Sequence, residues 1–276
     1  MPHQPLPDDL AMGPVALSMR NLDRSLAFYA GTLGLEPVKR EPGRTVLGAG
    51  DRPLVELVER RDGRRDPAEA GLFHVALLLP DRRALGRTLR LLLERELPVT
   101  GAADHVVSEA LYLDDPDGHG LELYRDRPRE AWYENGRFAI DNRPLDGRGI
   151  LAEADRAAGV DPGTVVGHVH LETHDLAATR DFYVGRLGLE PMAEWPRALF
   201  VSKGGYHHHL AANNWNHRSR PAADRPDRIG LLHYTMRLGS GEALERAAAS
   251  LPEAERDGGA LVLTDPSGLR LRLVAG

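Results

Sequence analysis

Apolar and polar positions alternate over short stretches and then shift to a helical spacing, and this change of period recurs along the chain. Val165-Val166-Gly167-His168-Val169-His170-Leu171 is β-branched and alternating, as a strand requires, and the run ends near Asp175, a good helix N-cap. Leu176, Thr179, Phe182, Tyr183 and Leu187 then follow near helical spacing until Gly188 stops the helix. Short runs come next, Ala198 to Val201 and His207 to Ala211, separated by Gly204-Gly205. The predicted unit is βαβββ. A second unit opens at Gly71-Leu72-Phe73-His74-Val75-Ala76-Leu77, carries a helix from about Asp81 to Leu97 and closes on Leu121-Glu122-Leu123-Tyr124. Another opens at Gly230-Leu231-Leu232-His233-Tyr234-Thr235 and closes on Leu269 to Val274.

These units are copies. Leu22, Phe28-Tyr29, Gly31 and Leu33-Gly34-Leu35-Glu36-Pro37 return at a constant offset of 154 as Leu176, Phe182-Tyr183, Gly185 and Leu187-Gly188-Leu189-Glu190-Pro191, nine identities in a short window. Asp115-Pro116-Asp117-Gly118, with Leu121 and Leu123 behind it, returns at an offset of 150 as Asp265-Pro266-Ser267-Gly268 with Leu271 and Leu273. Four modules in two halves follow: residues 10–125, a linker over 126–162, and 163–276. The fold class is α+β, with cupped mixed sheets and flanking helices. The linker is rich in Asp, Arg, Pro and Gly, with a short helix expected near Ile150 to Ala158, and Trp132 and Phe138 are expected to pin it to the body.

Composition narrows the chemistry. The 276-residue chain has no cysteine, which excludes disulfides, thiolate metal sites and thiol nucleophiles, so a metal must be held by His, Asp or Glu. A formal net charge of −6 gives no global field for nucleic acid or an anionic membrane, and neither is expected as a partner. With no apolar run long enough to span a bilayer and no apolar signal core before Arg20, a cytoplasmic location is expected.

Comparing module positions locates candidate ligands. On first strands His170 aligns with Ala16, and His74 with His233; on last strands Glu122 aligns with Arg272. Modules two and three together offer His74, His170 and Glu122, a two-His, one-carboxylate set that leaves open positions on a metal and suits non-haem Fe(II). Arg272 and His233 are expected to form a degenerate counterpart, since a cation stands where the carboxylate should. The pairing of modules stays open at this point: Glu56 and Glu59 could supply a carboxylate if modules one and two faced each other.

The segment His105…Leu111-Tyr112…Asp115-Pro116-Asp117-Gly118…Glu122 resembles the signature of extradiol ring-cleaving dioxygenases. With the βαβββ repeats it identifies the chain, from about Gly13 to Val274, as similar to the vicinal oxygen chelate superfamily of glyoxalases, bleomycin-resistance proteins and extradiol dioxygenases, nearest to the catechol 2,3-dioxygenases. Ala103, two residues before His105, departs slightly from that family's pattern. The resemblance implies Fe(II), or Mn(II), held by His74, His170 and Glu122, with a small aromatic diol and O2 as substrates. It gives Tyr112 a contact to a substrate hydroxyl and makes His208 the proton carrier. His105, His209 and Tyr206 are implied as substrate contacts, with the facing of His207, His208 and His209 left open. In better-known two-domain members the metal lies in the second half, whereas here the carboxylate lies in the first. The same scaffold also hosts glyoxalase-like metal-dependent lyases and isomerases, and metal-free drug-binding proteins whose cleft Trp195, Trp215 and Tyr206 could line. Self-association is compatible with all three readings.

Overall fold

The computed structural model describes residues 6–155 and 159–276. Each of the four repeats is a strand, a helix and three strands. The first comprises β1 (Ala11–Met19), α1 (Leu22–Tyr29), β2 (Glu36–Glu41), β3 (Arg44–Ala49) and β4 (Arg52–Glu59). In the second are β5 (Gly71–Leu78), α2 (Arg82–Glu94), β6 (Gly101–Asp104), β7 (Ser108–Asp114) and β8 (Gly120–Asp126). A small hairpin, β9 (Tyr133–Glu134) and β10 (Arg137–Phe138), and the helix α3 (Gly147–Glu153) occupy the connection; of the helix expected to reach Ala158, residues 156–158 lie outside the described residues. The third repeat has β11 (Val165–Glu172), α4 (Leu176–Arg180) running on into a wider turn to Arg186, β12 (Glu190–Trp195), β13 (Ala198–Ser202) and β14 (Leu210–Asn213). The fourth has β15 (Gly230–Leu238), α5 (Gly241–Ser250), β16 (Glu255–Asp257), β17 (Ala260–Thr264) and β18 (Arg270–Ala275).

The helices start where short polar side chains can satisfy orphan amides. Asn21, Asp81, Asp146, Asp175 and Ser240 each accept a hydrogen bond from a backbone N–H three residues ahead.

Two eight-stranded sheets result, and neither follows the halves of the sequence. One runs β12-β13-β14-β11-β5-β8-β7-β6, joining the third repeat to the second; the other runs β16-β17-β18-β15-β1-β4-β3-β2, joining the fourth to the first. At the seam of the first sheet β5 and β11 pair antiparallel, with His74 opposite His170 and Ala76 opposite His168. The last strand of the second repeat, β8, flanks β5 in parallel with Glu122 opposite Ala76.

Alternation then sorts the side chains. Val75, Leu77, Leu121, Leu123, Val169 and Leu171 enter one buried core that also takes residues of the second sheet and the helices. Their neighbours His74, Ala76, Glu122, Tyr124, His168 and His170 are likewise buried but lie outside that core. The period of two thus turns a row of polar and small residues to the concave face. Trp132 is 2% exposed and donates its indole N–H to Arg127 O at 2.8 Å, which ties the connection to the sheet's rim. Among the described residues no helix is long and apolar enough to cross a membrane.

Candidate metal centre and cavity

Three strands bring three side chains to one point. Ala76 sits in register between Glu122 on one side and His168 on the other, and its methyl group leaves space above it for both neighbours to lean inward. His74, one pleat along β5, closes the set. Glu122 Oε2 lies 2.9 Å from His74 Nε2 and 3.0 Å from His168 Nε2, and the two imidazole nitrogens are 3.2 Å apart. All three residues are buried, at 5%, 2% and 1% exposure for His74, Glu122 and His168. Among the described residues no lysine or arginine pairs with Glu122.

Burial by itself would push the Glu122 carboxyl up, but the adjoining His168 and His74 reverse this and hold it well below the usual carboxylate range. Burial pulls His168 down to about 4 against the opposing pull of Glu122. The set therefore offers a carboxylate and imidazoles, ligand types that a metal binds once the imidazole nitrogens facing it give up their hydrogens. Its spacing fits an ion as well. Bonds of about 2.0–2.2 Å at right angles separate ligand atoms by about 2.8–3.1 Å, whereas tetrahedral angles would separate them by about 3.3–3.6 Å. The observed 2.9 and 3.0 Å fall in the first range and 3.2 Å lies between the two, so the three atoms would suit one face of an octahedron better than corners of a tetrahedron, with the opposite face left open. Among the described residues this is the group of His and acidic side chains that meets at metal-binding distances.

His170, expected to be a ligand, is instead a neighbour of the set. Its Nε2 accepts a hydrogen bond of 2.9 Å from Asn213 Nδ2, and its ring packs edge-on against Phe73, His74 and Trp215 with centroids 4.9, 4.9 and 5.4 Å away. The reason is register. His168 and His170 share a face of β11, and it is His168 that stands opposite Ala76 and so shares a row with Glu122. A local signal was present in the sequence: His74-Val75-x-Leu77 repeats as His168-Val169-x-Leu171.

The triad forms the floor of a cavity of about 410 Å³. Its walls are aromatic, from Phe73, Trp195, Phe200 and Trp215, and Ile140 and Asn142 of the connection close one side. Tyr112 on β7 stands opposite Glu122; its hydroxyl is 2.7 Å from His105 Nε2, whose Nδ1 donates to Asp141 O at 2.8 Å. Burial, with Glu122 adding to it, raises the Tyr112 phenol well above its usual range, so it stays protonated. Both Tyr112 and His105 line the cavity.

The three consecutive histidines do not continue a strand, as the alternating pattern had suggested. Gly204 and Gly205 take left-handed φ of 60° and 66°, and β14 begins only at Leu210. His207 to His209 thus lie on a loop where inside–outside alternation does not apply. His208 lines the cavity, its ring 4.1 Å from that of His168. His209 turns away, with Nδ1 2.8 Å from Ser202 Oγ, and Tyr206 points its hydroxyl to Tyr124 at 2.8 Å. Neither His209 nor Tyr206 lines the cavity, so neither stands where a substrate contact was expected.

The corresponding face of the other sheet is neutralised by ion pairs. Arg272 binds Asp257 Oδ2 at 2.5 Å, Glu56 is held by Arg44 at 2.6 Å, and His233, mostly buried near both arginines, is lowered to about 4, by burial first.

Comparisons with known proteins agree with this architecture. Residues 11–123 match the family model of the Glyoxalase/Bleomycin resistance protein/Dioxygenase superfamily. A "Catechol-2,3-dioxygenase" of Bacillus subtilis (strain 168) is 38% identical over 256 residues, covering 90% of this chain and 89% of the relative. Among solved structures, a candidate dioxygenase from Bacillus subtilis subsp. subtilis str. 168 superposes with a TM-score of 0.68 at 15% identity, over 99% of this chain and 86% of that one. Glyoxalase I from Zea mays gives 0.55 at 15% identity, over 97% and 92%.

Proposed function

Because this chain belongs to the glyoxalase/bleomycin resistance protein/dioxygenase superfamily, we propose that it is an extradiol dioxygenase that opens catechol-type aromatic diols at an Fe(II) held by His74, Glu122 and His168. The observation that carries this reading is the facial spacing of two imidazoles and one carboxylate on the floor of an aromatic-walled cavity. Two histidines and a carboxylate with an open face are the donor set of non-haem Fe(II) oxygen chemistry, and the 38% identity to a catechol-2,3-dioxygenase supports the same class.

Bound there, Fe(II) would supply adjacent sites for both diol oxygens and for O2 and a route for electrons between them. The protein does the rest. Phe73, Trp195, Phe200 and Trp215 offer faces and edges to a flat ring. Tyr112, held by His105, is a hydrogen-bond partner for one substrate hydroxyl. His208, stripped of charge by burial and by the nearby His168 and His207, is a neutral base at the cavity wall that can take a hydroxyl proton and return it later. The overall change is balanced without a reductant: the bond between a hydroxylated ring carbon and its unhydroxylated neighbour breaks, and both atoms of O2 enter the product.

The test is anaerobic loading with Fe(II), addition of catechol, then O2. A yellow ring-opened product is expected, absent in Glu122→Gln. Failure to consume O2 with any of several catechols, together with isomerisation of a thiol adduct or tight retention of an unreacted aromatic, overturns the assignment.

A further inference from the structure

Behind His208 stand two side chains to which the function above gives no part. Asp126, the last residue of β8, places Oδ1 2.8 Å from His207 Nε2, and His207 Nδ1 lies 2.8 Å from His208 Nδ1. His207 is wholly buried, with Tyr206 stacked at 4.1 Å and Trp132 at 5.2 Å between ring centroids. The line thus runs from a partly exposed carboxylate through an enclosed imidazole to the ring on the cavity wall.

With His207 taken as neutral, donor and acceptor roles along this line follow from its outer end. A carboxylate oxygen can only accept, so His207 Nε2 carries the hydrogen. A neutral His207 then has a lone pair at Nδ1, and the 2.8 Å contact requires His208 Nδ1 to be the donor. His208, which lines the cavity, is then left with a bare Nε2, the nitrogen not engaged by His207. Free neutral imidazole side chains favour the opposite tautomer, with hydrogen on Nε2, so this arrangement has to be imposed.

We propose that Asp126 and His207 are positioning residues that lock His208 in the Nδ1–H tautomer, so that a proton acceptor, and not a donor, faces the bound substrate's hydroxyl. The meaning of that acceptor rests on the dioxygenase reading; the tautomer does not.

The experiment uses the full chain, metal-free, with 15N-labelled histidine, and long-range 1H–15N correlations of the imidazoles. Loss of one spin system in His208→Gln assigns the ring. His208 is expected to carry hydrogen on Nδ1. In His207→Phe, which keeps a ring in place but removes both nitrogens, His208 should move to Nε2–H. Asp126→Leu should lower its Nδ1–H fraction, and serves if His207→Phe does not fold. Nε2–H at His208 in the unaltered protein, as would follow if His207 were doubly protonated, overturns the proposal. Retention of Nδ1–H in both folded variants does so too. In the iron-loaded enzyme His207→Phe should lower kcat by about 10²-fold, within the usual weight of general acid–base catalysis, with KM for catechol changed less than about threefold. A change confined to KM would mean that His207 only shapes the cavity and would overturn the role. If the tautomer is found but no catechol is cleaved, the function fails and the tautomer assignment stands; cleavage with the wrong tautomer separates the two the other way.

Discussion

Replacing His168 and His170 by alanine one at a time separates two histidines that lie on the same strand face. His168 Nε2 is 3.0 Å from the carboxylate oxygen and 3.2 Å from the second imidazole, so its loss removes one of the three proposed ligands. Outer groups that merely orient ligands are worth about 10–100-fold in metal affinity, so removal of a ligand should exceed about 100-fold, or about 2.8 kcal/mol. His170 touches the set only through ring packing on His74, with centroids 4.9 Å apart, and its nitrogen is engaged by Asn213. Affinity in His170→Ala should stay within about tenfold, the low end of that range. Stability should respond at His170 as well. His170→Ala empties a space among Phe73, Phe200 and Trp215 and leaves the Asn213 amide without its acceptor, a loss of about 2–4 kcal/mol. Anaerobic calorimetric titration with Fe(II), paired with urea unfolding of the metal-free proteins, reads both quantities. Stoichiometric binding retained in His168→Ala and lost in a folded His170→Ala would refute the argument and return the ligand position to His170.

Ala76→Leu should fill the space between Glu122 and His168 and lower Fe(II) affinity at least about tenfold, a metal titration of the folded variant being the check; unchanged affinity would mean that the small residue is not what lets the ligands converge. His168 and His209, both lowered to about 4, are neutral in the folded protein where the unfolded chain, at about 6.5, takes up protons. The unfolded state therefore gains as pH falls, and metal-free stability should drop by about 2 kcal/mol per residue between pH 7.5 and 5, the effect saturating below about pH 4. Urea midpoints at the two pH values measure it, and a midpoint that rises on acidification contradicts the shifts.

The repeats, the βαβββ grammar and the candidates His74 and Glu122 were legible because each rests on a local feature: an offset match, a change of period, an alignment of module strands, or a polar residue flanked by leucines inside a strand; Tyr112 was legible only through the family signature. The choice between His168 and His170 was not legible from periodicity, since residues two apart on a strand share a face and the offset alignment set against them Pro14 and Ala16, neither a ligand. Strand register decides it, and register across β5 and β11 joins residues nearly a hundred positions apart. The same holds for the sheets, which pair the second repeat with the third: nothing local in a strand says which half supplies its neighbour. His207 to His209 were read with strand logic that the left-handed glycines before them cancel, so His209 and Tyr206 could not be seen to turn from the cavity.

The central claim is that the facial set of His74, Glu122 and His168 carries out ring cleavage by O2. Its most direct test supplies 18O2 to the Fe(II)-loaded protein with catechol and determines the product by mass spectrometry. The account predicts one ring-opened product per O2 consumed, holding both labelled atoms, and none from Glu122→Gln. A product without label, or equal turnover in Glu122→Gln, would contradict it.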